Sequence, residues 1–136
     1  MTSPGVSIST DFARIDLDLV HGFLSSSYWA SGRSRDVVER SLRNSLCFSA
    51  FQGSKQVAFG RAITDRAVFE YIADVFVVPE CRGLGIGKAL MRAMLGHPDL
   101  RGLPIMMLRT RDAGALYAQF GFQPIRRPEE VMGLYN

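Results

Sequence analysis

The spacing of apolar and polar positions along this chain changes period several times, and each change marks a predicted element. Residues 6–9 alternate and predict a first strand, after which Asp16 stands as N-cap to a helix carrying Leu17, Val20, His21 and Leu24 on one stripe. Ser34 caps a second predicted helix with Val37, Val38, Ser41 and Leu42 inward. Residues 46–51 and 57–63 are alternating apolar runs joined by Gln52-Gly53-Ser54-Lys55, a hairpin signal. A short turn at Asp65-Arg66-Ala67 leads into residues 69–78, so three antiparallel strands follow one another. The period returns to helical at Leu90, Met91, Met94 and Leu95, and stops near Gly96-His97-Pro98. Residues 105–109 read as a short strand. Asp112 reads as N-cap to a helix through Ala115, Leu116 and Phe120, closed by Gly121-Phe122. Residues 122–125 suit one more strand, and little order is expected in the tail. The sum is β-α-α-β-β-β-α-β-α-β, an α/β (α+β) chain with one mixed, mostly antiparallel sheet.

The stretch 74–90 carries the chemistry. Val75-Phe76-Val77-Val78 is short and β-branched, and Pro79 ends it because proline has no N–H for the ladder. Arg82-Gly83-Leu84-Gly85-Ile86-Gly87-Lys88 follows, with glycine at every second position and a helix behind it. Such a loop can adopt positive φ, and its N–H groups are also the free donors of a helix N-terminus, where the macrodipole favours phosphate. The spacing excludes two phosphate motifs. A P-loop needs glycine where Arg82 stands and Ser or Thr where Ala89 stands; a dinucleotide fingerprint needs G-x-G-x-x-G, whereas Gly83, Gly85 and Gly87 give G-x-G-x-G.

Composition narrows the setting. The 136 residues make one domain around a single core. No run is apolar enough to span a membrane and the N-terminus lacks a signal-peptide layout, so the expected location is cytoplasmic. Cys47 and Cys81 form neither a disulfide framework nor a metal spacing, and no metal is expected. The net charge of +3 is scattered rather than gathered on one basic face, which argues against a nucleic-acid partner.

Arg82-x-x-Gly85-x-Gly87 directly after a V-x-P strand end resembles the acyl-CoA pyrophosphate loop of the GCN5-related N-acetyltransferase (GNAT) superfamily. Ala115-Leu116-Tyr117-x-x-x-Gly121-Phe122 is similar to the family's Y-x-x-x-G-F helix end, and the element order resembles the GNAT fold along nearly the whole chain, as in a small single-domain member of bacterial type. The resemblance implies acetyl transfer from the thioester of acetyl-CoA directly to a primary amine of a small molecule. It implies cofactor contacts from residues 82–88 and from the strand edge Phe76, Val77 and Val78, and a homodimer.

Transfer requires a proton for the departing thiolate and removal of one from the amine. Tyr117 matches the family position near the CoA sulfur and is the expected general acid; packing on the core is the alternative reading. For the base, Asp74 comes first and Glu70 second, both placed by alternation on the face of Ile72 and Phe76. His21 comes third, since on an apolar stripe a satisfied core histidine is the commoner role. Asp112 lies near the position where relatives use asparagine toward CoA. Tyr28, Trp29 and Arg33, in the polar loop 25–35, are the expected acceptor wall, with an aromatic plug over the core edge as the alternative. Two rival functions remain open: a non-catalytic acyl-CoA-binding sensor of the same fold, and a nucleotide-binding regulator, the latter disfavoured by the missing P-loop hydroxyl and Mg²⁺ ligands.

Overall fold

The computed structural model describes residues 5–136. Its sheet has five strands in the order β1 (Ser7–Ser9), β2 (Leu46–Gln52), β3 (Lys55–Thr64), β4 (Phe69–Val77) and β5 (Ile105–Leu108). The first four are antiparallel neighbours; β5 runs parallel to β4. Two-residue connection Gly53-Ser54 closes the β2–β3 hairpin with Gly53 at φ 60°, as the turn signal required.

Helix α1 (Leu17–Ser25) begins where the Asp16 carboxylate accepts from the Leu19 N–H, and α2 (Arg35–Arg43) where the Ser34 hydroxyl accepts from the Val37 N–H. Both predicted caps satisfy donors that the first helical turn leaves free. These helices cover one face, with Phe23 of α1 stacked on Phe76 at 4.1 Å between ring centres. Helix α3 (Ile86–Gly96) covers the other. A Cβ added at Gly60 would lie 3.1 Å from Met94 Sδ and 3.3 Å from the Val75 side chain, so glycine lets α3 approach β3 closely. Leu90, Met91 and Met94 are fully buried there, and Val20, Leu24, Val38 and Leu42 fill the opposite layer. Among the described residues no helix is long and apolar enough to cross a membrane.

Two departures from the expected elements follow from local chemistry. Residues 122–125 form no strand, and five strands rather than six make up the sheet among the described residues. Helix α4 (Gly114–Ala118) is not capped by Asp112: its N-cap residue is Ala113, whose N–H donates 2.9 Å to the Thr110 hydroxyl.

The pairing of β4 is what builds the site. From Phe69↔Ile105 to Ile72↔Leu108 it pairs with β5, and beyond Ile72 its edge is unpaired. On its other side Phe59 faces Phe76 and Arg61 faces Ala73, so one residue of β3, Gly60, opposes two of β4, Asp74 and Val75. This is a β-bulge, with Asp74 at φ 55° in the left-handed region that aspartate tolerates better than most residues.

Candidate active site

A cavity of about 560 Å³ opens over the bulge. Its walls come from the α1–α2 loop, from β3 and β4, and from the segment joining β5 to α4. Tyr28, Trp29 and Arg33 all line it, so the three residues expected from the loop do converge. They are fixed by the bulge residue. Asp74, whose side chain is fully buried, accepts from Arg61 Nε at 2.6 Å, from Arg33 Nη1 at 3.1 Å and from Trp29 Nε1 at 2.9 Å. Arg61 Nη1 also donates to the Ser45 hydroxyl at 3.0 Å. Burial by itself would raise the Asp74 pKa, but the Arg61 charge and hydrogen bond, then Arg33 and Trp29, outweigh it and hold the carboxyl below its ordinary value.

That geometry corrects the first choice of base. A carboxylate enclosed by two guanidinium groups and an indole N–H is a poor proton acceptor near neutrality; Asp74 instead holds Trp29, Arg33 and Arg61 in place. The second choice is corrected by the bulge. Ile63 and Tyr71 are register partners and both line the cavity, so by the period of two Thr64 and Glu70 turn to the α3 side. Glu70 is fully buried, lines neither cavity described here, and both its oxygens lack a hydrogen-bond partner among the described residues. Burial pushes its pKa up to about 7. His21 is also absent from the cavity; its Nε2 lies 3.3 Å from the Arg33 carbonyl oxygen and tethers α1 to the loop.

Tyr117 does line the cavity. Its ring meets Phe122 edge-on at 6.1 Å, so the packing role holds as well. Burial first, then Tyr28 and Asp112, raises its phenol pKa, which keeps the proton on Oη. Tyr28 is itself built in: its hydroxyl accepts from the Arg111 N–H at 3.1 Å and its ring lies 3.7 Å from Arg111 Cζ.

A second cavity, of about 240 Å³, lies on the far side of α4, over the glycine loop. Gly83 and Gly85 adopt φ 80° and 83°, and Gly85 is the N-cap of α3, so the first-turn N–H groups point into the loop. Gly87 is helical, and its Cβ position lies within 4 Å of Val77 and Leu116 side chains. Val77, Arg82, Ile86 and Lys88 join these glycines in lining the groove, as does Cys81, which the sequence did not single out. Leu84 is 55 % exposed and lines neither cavity. Of the predicted strand edge, the Val78 N–H is taken by the Val57 carbonyl at 2.9 Å, and by alternation Phe76 also turns its polar groups to β3. Val77 faces the unpaired edge, where its carbonyl accepts from Arg82 Nε at 3.1 Å.

Neighbouring residues of α4 line the two cavities, Leu116 the smaller and Tyr117 the larger. Sequence reasoning missed Arg61, Arg109 and Arg111, all of which line the larger cavity. The one available signal was Arg61, a lone cation in the apolar run 57–63.

A sheet whose parallel fourth and fifth strands separate beside a glycine loop and a helix N-terminus defines the class, an acyltransferase fold. A family model described as Acetyltransferase (GNAT) domain matches residues 43–124. A crystal structure from Xanthomonas campestris pv. campestris, of a protein assigned to the GNAT family, superimposes with a TM-score of 0.96 at 46% identity, covering 99% of this chain and 96% of that one. A Gibberella zeae protein that carries the assignment acetyltransferase is 29% identical over 93% of this chain and 84% of its own length. Over a shorter stretch, 48% of this chain and 28% of the relative, it is 38% identical to serotonin N-acetyltransferase 2, chloroplastic, of Oryza sativa subsp. japonica. The chain belongs to the GNAT acetyltransferase family.

Proposed function

We propose that this protein transfers an acetyl group from acetyl-CoA to a primary amine of a small molecule bound in the 560 Å³ cavity. The observation that carries the reading is the adjacency at α4, where a groove suited to a pyrophosphate and a cavity walled by aromatic and charged side chains share one helical turn.

The residues of the smaller groove fit the cofactor. Glycine at the two left-handed positions and the N-terminus of an eleven-residue helix offer backbone donors to phosphate, and Arg82 and Lys88 add charge. Val77 offers backbone groups on the unpaired edge of β4. When bound, acetyl-CoA supplies an activated acetyl thioester. Tyr117 holds a proton at Oη, and its raised pKa keeps that proton available for a departing thiolate, whose ordinary pKa is about 8.5. Neither Asp74, held by its arginines, nor Glu70, outside the cavity, stands ready to take the amine proton. The arginines of the cavity favour a neutral amine over an ammonium by like-charge repulsion, and water can carry the proton away.

Gly85→Val tests the cofactor site, because a β-branched side chain is strained at φ 83° although open space surrounds the position. Calorimetry should detect acetyl-CoA binding to the wild type and none to a folded Gly85→Val variant. Equal affinity in both would refute the assignment. An assay of CoA release across a panel of amines tests turnover, and no release with any of them would refute the transferase reading.

A further inference from the structure

We propose that the acceptor amine carries an anionic group, a carboxylate or a phosphate, held by the arginines of the larger cavity; the inference rests on the acetyl-transfer reading of that cavity. Four arginines, Arg33, Arg61, Arg109 and Arg111, are among the residues that line it, against two acidic residues, Asp74 and Asp112. The Asp74 charge, moreover, is already shared. Arg61 holds one of its oxygens at 2.6 Å and Arg33 Nη1 reaches both at 3.1 Å. Two cations on one carboxylate leave that wall net positive.

The donors that remain are suited to an oxyanion. Arg33 reaches Asp74 through Nη1 alone, 32% of its side chain is exposed, and its other guanidinium donors make no hydrogen bond among the described residues. Arg111 Cζ lies 3.7 Å from the centre of the Tyr28 ring, and its guanidinium makes no hydrogen bond or ion pair among the described residues. Arg109 forms no ion pair and Asp112 pairs with none of the four, among the described residues. A planar fork of N–H groups matches carboxylate and phosphate oxygens, and guanidinium is weakly hydrated and so gives up little on binding them.

These arginines are not needed for the cofactor's phosphates. Those have their own cradle at residues 82–88, on the other side of Leu116 and Tyr117. Nor does the cavity suit a polyamine, whose second ammonium would enter a field of its own sign. An amine with an oxyanion at its far end neutralises the arginines and leaves the reacting nitrogen in surroundings that favour its neutral form.

The test has two arms that fail independently. In the first, inorganic phosphate and acetate are titrated into the protein while arginine Nε–H resonances are followed by NMR. Saturable shifts, weakened in Arg109→Gln and Arg111→Gln, are expected; both positions are exposed, so both variants should fold. No saturable shift with either ion overturns the proposal, and the comparison of the two ions tells a phosphate site from a carboxylate site. In the second arm, CoA release is measured with matched acceptors: amino acids and their amides, aminoalkyl phosphates and the corresponding alcohols, and an arylethylamine. The anionic member of each pair should show kcat/KM about 10-fold higher or more, and Arg111→Gln should shrink that ratio by a similar factor. Equal or better use of the neutral members overturns the proposal while leaving acetyl transfer standing. Release from no acceptor at all tells against the transferase reading, and the ion titration still decides the anion site.

Discussion

Asp74 and Glu70 lie on the same strand, both buried, and the molecule treats them in opposite ways. Asp74 sits on the bulge, faces the cavity and is met by Arg61, Arg33 and Trp29. Glu70 sits before the bulge in the regularly paired half of β4, faces the α3 side and meets no hydrogen-bond donor among the described residues. One carboxyl is therefore held ionised and the other is pushed toward its neutral form. The difference comes from one extra residue in one strand: the bulge turns Asp74 into the site, and the half of β4 beyond it is the half left unpaired by β5.

The contrast can be broken from either end. Removing the satisfied partner should cost most: Asp74→Ala leaves Arg61, whose side chain is only 9% exposed, without a counter-charge, and a loss of about 3–5 kcal/mol is expected in denaturant unfolding. A loss below about 1 kcal/mol would show that the cluster is not holding the loop. Glu70→Gln should act with the opposite sign. An acid whose folded pKa is about 7, against an ordinary 4.5, contributes fully to stability below the lower value; that contribution is lost as pH rises toward the higher one and stays lost above it. The wild-type melting temperature should therefore fall between these two pH values. Glu70→Gln should remove that slope and gain roughly 3–4 kcal/mol at pH 8, at ~1.4 kcal/mol per pKa unit. A variant no more stable than wild type at pH 8 would mean that the carboxyl finds a partner.

Neither of these two carboxyls is placed to move protons, and the proposed mechanism gives the proton donor's role to Tyr117. Tyr117→Phe should slow turnover by roughly 10²-fold with melting temperature and acetyl-CoA affinity little changed, since it removes only a hydroxyl. Unchanged turnover would return Tyr117 to a packing role. The smallest expected effect is on the pH profile. Because the Asp74 pKa is lowered, its ion pairs contribute stability above the ordinary carboxylate range and lose it as pH falls below that range. Asp74→Asn should therefore raise the acceptor KM and leave any midpoint of kcat/KM near neutrality in place; a moved midpoint would restore Asp74 as the base.

Much of this was legible before the fold was known, because it rests on local chemistry. The caps at Asp16 and Ser34, the Gly53 hairpin and the loop 82–88 each announce themselves within a few residues. The loop residues Tyr28, Trp29 and Arg33 were also legible as odd, large side chains in a polar stretch. What failed depended on pairing between distant strands. Alternation placed Glu70, Ile72, Asp74 and Phe76 together, and all four are indeed buried, yet the bulge divides them between two faces. No residue type in β4 signals that bulge, since aspartate rather than glycine takes the positive φ. Val78 was likewise misassigned to the free edge because which N–H faces β3 depends on register. Asp112 does not cap α4 because the helix starts one residue later, with Ala113 as its N-cap and the Thr110 hydroxyl accepting from the Ala113 N–H.

A crystal structure with CoA bound tests the central claim most directly, that the two cavities lined by α4 form one reaction path. The account predicts pyrophosphate density against the backbone of residues 83–88, pantetheine beside the Val77 edge, and a thiol end that emerges between Val75 and Tyr117 into the cavity walled by Asp74 and its arginines. CoA bound away from the glycine loop, or with its thiol end outside that cavity, would contradict it.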